Sequence, residues 1–190
     1  VSPAEGTSSE EFYQIYHKFG YDQAVSRASD SLSYVYRLDE KYWLMMLDSC
    51  MCEPVHETGG KLSEETVAWM KTQLEEAKKQ GVTVIPVSHH NLLDESTLYP
   101  EECTIENTKE VTALLEAYGV PVYLSGHLHL QRIKKHTSNL NTPGGYGIRE
   151  IVTSPLPMAP CQYSILNWQA DGSLSYHTKK VDIAGWAQRY

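Results

Sequence analysis

A chain of 190 residues, 41% hydrophobic and 21% charged, is long enough for one sizeable core and has an ordinary globular balance. Its formal net charge of −8 speaks against broad, sequence-independent binding to nucleic-acid polymers. No apolar run approaches the ~18 residues of a membrane span. The cysteines, Cys50, Cys52, Cys103 and Cys161, lack the paired spacing of structural zinc sites and are expected as free thiols. The chain begins with Val1 rather than methionine, so its compartment stays open.

Ser8 followed by Glu11 has the pattern of a capping box. It predicts a helix over about Ser9–Lys18 with Phe12, Ile15 and Tyr16 on one face, ended by Gly20. Tyr21–Ala28 reads as a second short helix. Leu32–Arg37 alternates like a strand, and Lys41–Leu47 is an apolar strand expected to be buried on both faces. The clearest helix runs from the N-cap Ser63 to Gln80, with Val67, Met70, Leu74 and Ala77 as its apolar stripe and Gly81 closing it. The strand Val82–Val87 follows at once. Pro100–Thr104 reads as a loop. Asn107 and Glu110 suggest another capping box, opening a helix with Val111, Leu114, Leu115 and Tyr118 facing inward. Gly119 stops it and the strand from Val120 begins. Strand, helix, strand, helix, strand is an α/β pattern. Beyond His129 the segments Gln131–Lys135, Ile148–Thr153, Gln162–Trp168 and Ser173–Thr178 read as strands without helices between them. Thr137–Gly147 is a loop, and Asp171-Gly172 is a hairpin turn.

Two of these strands end in histidine. His89-His90 follows Val82–Val87, and Gly126-His127-Leu128-His129 follows Val120–Leu124. Histidines at i and i+2 on an extended segment point to one side. Gly126 is expected to let the chain turn tightly and to keep space open beside the imidazoles. Open α/β sheets place their chemistry at strand ends, and imidazole is the commonest metal ligand. A metal site is the leading expectation.

These residues resemble the calcineurin-like metallophosphoesterases. Val87-Ser88-His89-His90 is similar to that superfamily's lone-histidine motif after a strand, and Gly126-His127-Leu128-His129 to its Gly-His-x-His motif. Leu47-Asp48-Ser49 and Gly60-Lys61-Leu62-Ser63 precede them in an order that resembles a bacterial branch related to cyclic-nucleotide phosphodiesterases. The resemblance implies an α/β fold, the C-terminal half of a four-layer α/β/β/α sandwich. It covers residues 31–190, with residues 1–30 as a polar, helical insertion. It implies hydrolysis of a small phosphorylated substrate, a phosphodiester or phosphomonoester, by two ions of manganese, iron or zinc. Two such ions clamp the attacking and leaving oxygens of an in-line displacement at phosphorus. His89 and His127 would bind one ion, His129 the other, and His90 would lie at the substrate edge. The superfamily's Asp-x-His, Gly-Asp-x-x-Asp and Gly-Asn-His motifs do not occur in the 190 residues, and the expected general acid belongs to the last of them. The resemblance therefore implies that these lie upstream of Val1, that this chain holds no catalytic acid, and that alone it is inactive. A sheet that continued into such a segment would expose an apolar face and favour self-association.

A non-catalytic scaffold with the same fold is the rival from another class. A metallo-β-lactamase-like hydrolase is a weaker one, since Leu130-Gln131-Arg132 after His129 supplies no further ligand. The remaining histidines, His17, His56, His136 and His177, are read as surface or hydrogen-bonded residues. Asp48 is read as a cap on its loop. Trp43 and Trp69 are read as core, and Glu75–Lys79 as a solvated helix face.

Overall fold

The computed structural model describes residues 6–52, 57–95, 98, 100–136, 147–169, 171–183, 185 and 188. His56 and most of the loop expected over Thr137–Gly147 lie outside them.

The capping box at Ser8 forms. The Ser8 hydroxyl accepts from the Glu11 N–H at 3.3 Å, and the Glu11 carboxylate takes the Ser8 N–H at 2.8 Å. Helix α1 runs Ser9–Tyr16, but it buries none of its residues. Phe12 and Tyr16 pack on each other instead, ring centroids 4.5 Å apart. The helix expected over Tyr21–Ala28 is a single 3-10 turn, Tyr21–Gln23, followed by strand β1, Ala24–Arg27. Val25 is β-branched and gains little from a helix. The segment also has a ladder partner. It pairs antiparallel with β2, Tyr34–Arg37, through an irregularity between Ala24 and Ser26. Asp39 turns the chain by accepting the N–H groups of Lys41 and Tyr42, at 2.7 and 2.8 Å. Strand β3, Tyr42–Met46, then pairs antiparallel with β2.

Helix α2 spans Glu64–Gln80. The Ser63 hydroxyl accepts the Thr66 N–H at 2.9 Å, and Gly81, at φ 69°, closes the other end. Val67, Met70, Leu74 and Ala77 are buried as the stripe requires. Strand β4, Thr83–Val87, follows. The expected loop at Pro100 contains a short helix, α3, Pro100–Cys103. Helix α4 is Thr108–Ala117, without the side-chain cap expected from Asn107. The Asn107 carboxamide instead holds both backbone groups of Leu62, donating to its carbonyl at 2.9 Å and accepting its N–H at 3.2 Å. Strands β5 (Val122–Ser125), β6 (Arg132–Lys135), β7 (Arg149–Val152), β8 (Gln162–Trp168) and β9 (Leu174–Lys180) complete the described elements.

Seven strands form one sheet in the order β1-β2-β3-β4-β5-β7-β6, and β8 and β9 form another. Strands β3, β4, β5 and β7 run parallel, with antiparallel strands added at each side. Helices α2 and α4 pack on one face. Their apolar stripes meet Val35, Trp43, Met45, Val84 and Tyr123 there. On the other face Ile85, Val122 and Ile151 are buried under Leu166, Trp168, Leu174 and Tyr176 of the β8–β9 hairpin. Helices, large sheet and small sheet are thus three successive layers. Strand β3 is central, but it is fully buried only on its helix side, through Trp43 and Met45. Tyr42 and Leu44 are half-buried under the hairpin, which covers much of the sheet face expected to be exposed.

Candidate functional site

Strands β4 and β5 are parallel neighbours with Val87 opposite Leu124, so they end at the same sheet edge. Their pairing continues past the strands. The Ser88 N–H donates to the Leu124 carbonyl at 3.0 Å, and the Gly126 N–H to the His89 carbonyl at 3.1 Å. This zip brings the two following loops together. His89 Nε2 and His127 Nδ1 lie 2.9 Å apart, within hydrogen-bond distance, and their rings are nearly perpendicular at 77°. The His90 ring lies 4.8 Å from that of His127 and 5.1 Å from that of His89.

The Gly-His-x-His segment is not extended. His127 and His129 have φ of 59° and 54°, in the left-handed region, and the Leu128 N–H donates to the Gly126 carbonyl at 2.7 Å across a tight turn. Strand alternation therefore does not place these two histidines; the turn does. Non-glycine residues in this region carry strain of ~1–3 kcal/mol that the surroundings must hold. Gly126 itself is not at positive φ, and a Cβ there would meet only the His89 carbonyl oxygen at 3.8 Å and its Nδ1 at 3.9 Å. An alanine would fit there in ordinary van der Waals contact with His89.

Burial, followed by the neighbouring imidazoles, holds both His89 and His127 below the usual histidine range. A lowered histidine pKa favours the neutral imidazole, the form that ligates metal ions. His129 is exposed. It reaches the other two by charge alone, pushing down the titration of each.

His90 is not at a substrate edge. It is 3% exposed, and both ring nitrogens are engaged. Nε2 lies 3.0 Å from the Thr58 carbonyl, which only accepts, so Nε2 carries the proton. Nδ1 then accepts from the Ser49 hydroxyl at 2.9 Å. Gly60 fits against this ring: a Cβ there would fall 2.4 Å from its Cγ. The His90 carbonyl accepts from Ser88 Oγ at 2.6 Å, which in turn accepts from the buried Tyr123 hydroxyl at 2.7 Å. His90 props the loop that presents His89.

Sequence reasoning missed the group that joins the two loops. Glu150, in the middle of β7, is fully buried. Its Oε1 accepts from the Leu92 N–H at 2.7 Å and the Ser125 hydroxyl at 2.6 Å, and its Oε2 from the Leu93 N–H at 2.6 Å. Asn91 Nδ2 donates to Ser125 Oγ at 2.9 Å and to the Gly126 carbonyl at 3.3 Å. Burial pushes the Glu150 carboxyl up to about 7 against the pull of its three donors. The available signal was an acid on the same strand face as Ile148 and Val152, where alternation demands an apolar residue. Nearby, the buried Glu95 carboxylate pairs with Arg132 Nε at 3.0 Å.

Beside His89 opens a cleft of about 930 Å³, lined among others by Phe12, Tyr21, Tyr34, Asp30 and Asp48. This is the scale of a small-molecule site. Asp48 caps its own loop, accepting from the Cys50 N–H at 3.1 Å and the Leu32 N–H at 3.3 Å. Cys50, Cys52, Cys103 and Cys161 are free thiols. Burial, then Asp48, pushes the Cys50 thiol up to about 11. Of the histidines read as structural, His17 bonds the Gln14 carbonyl at 2.9 Å, His136 pairs with Glu116 at 2.8 Å, and His177 is exposed on β9.

Cis ligands at about 2.1 Å from one ion sit ~3 Å apart, which is the separation of His89 Nε2 and His127 Nδ1. The pair fits as part of a metal shell. Among the described residues, no group of three or more His, Cys, Asp or Glu side chains is arranged to hold an ion. The shell is therefore incomplete within them.

No protein-family model matches the chain, and no curated protein matches it significantly. Among solved structures the chain is similar to a dimetal phosphatase from Danio rerio, with a TM-score of 0.58 and 12% sequence identity. The match covers 77% of this chain and 56% of that one. At this identity the likeness shows a shared α/β fold.

Proposed function

We propose that the chain carries the histidine-bearing part of a metal-dependent phosphoester hydrolase of the calcineurin-like superfamily. His89 and His127 share one divalent ion and His129 serves a second. The observation that carries this reading is the convergence of His89 Nε2 and His127 Nδ1 to 2.9 Å from two adjacent parallel strands, in a fold similar to that of a dimetal phosphatase. Manganese, iron and zinc all suit a mixed nitrogen and oxygen shell. Such ions supply Lewis acidity toward a phosphoryl group. The chain's own residues hold two imidazoles in register at one sheet edge. They set His89 at the edge of a cleft large enough for a small phosphorylated substrate. The order of the Leu47-Asp48-Ser49 and Gly60–Ser63 segments supports a place near the bacterial cyclic-nucleotide phosphodiesterases, so a phosphodiester is the first substrate to test.

The described residues bring two nitrogens together without a bridging carboxylate. We therefore expect weak metal binding and no turnover by these 190 residues alone. Titration with Mn²⁺ and Co²⁺ should show a site lost in His127→Ala and His89→Ala and kept in His17→Ala. Robust turnover of a chromogenic phosphodiester by this chain, abolished by His127→Ala, would overturn the expectation of inactivity. A scaffold without metal chemistry gives no histidine-dependent metal signal at all.

A further inference from the structure

We propose that Glu150 is a positioning residue for the His89–His127 pair. Its functional consequence rests on reading that pair as metal ligands; the placement itself does not need a metal.

Glu150 belongs to neither histidine loop. It projects from β7 and joins both loops in one carboxylate. Leu92 and Leu93 donate from the loop that carries His89, three and four residues after it. Ser125 donates from the end of β5, two residues before His127. Asn91 closes the circuit by bonding Ser125 and the Gly126 carbonyl. The unusual feature is the choice of side chain. Glu150 stands between Ile148 and Val152, all three fully buried. An apolar residue there would avoid the cost of burying a carboxylate. A carboxylate does what leucine cannot: it accepts three hydrogen bonds from two separate chain segments. Glutamine cannot substitute, because its NH₂ would face one of the donors. Left unmet, the Leu92 and Leu93 N–H groups would be stranded in the interior. The same tie explains how His127 stays in a left-handed conformation. Such strain persists only where the surroundings over-determine it.

Long-range ¹H–¹⁵N spectra of the imidazoles, recorded on the metal-free chain, test the idea. In Glu150→Gln the His89 Nε2 and His127 Nδ1 signals should move toward those of free imidazole, while His17 and His177 stay in place. Leu115→Ala, a cavity in the same core, should lower stability without moving the pair. If Glu150→Gln does not fold, Ser125→Ala removes a single donor and should move the same two signals less, in the same direction. A folded Glu150→Gln chain with both signals unmoved overturns the proposal, as does an equal shift in Leu115→Ala. Where Ser125→Ala is the variant read, unmoved signals overturn it too. A Co²⁺ titration separates this from the metal reading. Affinity should fall roughly tenfold or more in the Gln variant, the usual effect of losing a group that orients a ligand. Wild-type chain that binds no Co²⁺ overturns the metal reading and leaves the spectral result to decide the positioning role.

Discussion

Glu150 shows how one residue can tie a site together and still escape a reading of the sequence. Its partners lie 25, 57 and 58 positions away along the chain, so no local pattern announces them. The meeting of His89 and His127 in space was legible because each lies just beyond an apolar strand, and the parallel sheet aligns those strand ends. His90 was misread because an adjacent histidine is indistinguishable in sequence, while in the fold its two nitrogens are consumed by Ser49 and Thr58. The buried carboxyl also makes a prediction. Glu150 titrates at about 7 in the folded chain, against about 4.3 for an unfolded glutamate. A folded pKa above the unfolded one means that the stabilising contribution is full below about pH 4 and is lost as pH rises through about 7. The loss is on the order of 4 kcal/mol. Urea midpoints from pH 4.5 to 8.5 should fall more steeply in wild type than in Glu150→Gln, which has no carboxyl to titrate. His89 and His127 titrate in both proteins with the opposite sign, since a lowered histidine pKa removes stability as pH falls. Loosening the pair in Glu150→Gln shrinks that opposing contribution, so the difference between the two curves is a lower bound on what Glu150 contributes. Parallel curves would show that the carboxyl does not titrate in this window.

Helix α2 was readable at both ends because every signal for it is local. Ser63 caps it through Thr66, its stripe repeats at helical spacing, and Gly81 adopts the left-handed conformation that closes it. Ser63→Ala should cost about 1 kcal/mol. The Ser63 hydroxyl also donates to Asp30, a second bond lost in the same variant. Thermal melts followed by circular dichroism measure it, and a change below a few tenths of a kcal/mol would show that neither bond contributes. Where an element depends on a distant partner, the sequence misleads. Tyr21–Ala28 has the composition of a short helix, yet Ala24–Arg27 joins the sheet because β2 offers an edge. Asn107 has the right identity and spacing for a cap, yet its carboxamide is drawn to Leu62, 45 residues away, because that loop needs both a donor and an acceptor.

At the scale of the whole molecule, the large sheet has two apolar faces with different tasks. The helix face holds the larger core and, at its edge, the polar ties that set the histidine loops. The hairpin face holds a smaller, separate cluster in which Tyr42 and Trp168 pack with ring centroids 4.9 Å apart. The α/β alternation was plain in the sequence. The division between the faces was not, because both draw on the same strands and only register decides which side a residue takes. Separate clusters should respond independently. Trp168→Ala removes a half-buried indole and should cost about 2 kcal/mol, less than truncation of a fully buried tryptophan. It should leave the His89 and His127 imidazole signals where they are, since Glu150 turns to the helix face while the hairpin packs on the other. Combined with Leu115→Ala, on the opposite face, its effect should add to within ~0.5 kcal/mol. Urea unfolding of the single and double variants gives the comparison. A double variant far less stable than that sum, or a displaced histidine pair in Trp168→Ala alone, would mean that the sheet transmits packing strain from one face to the other. The hairpin would then be part of what positions the site.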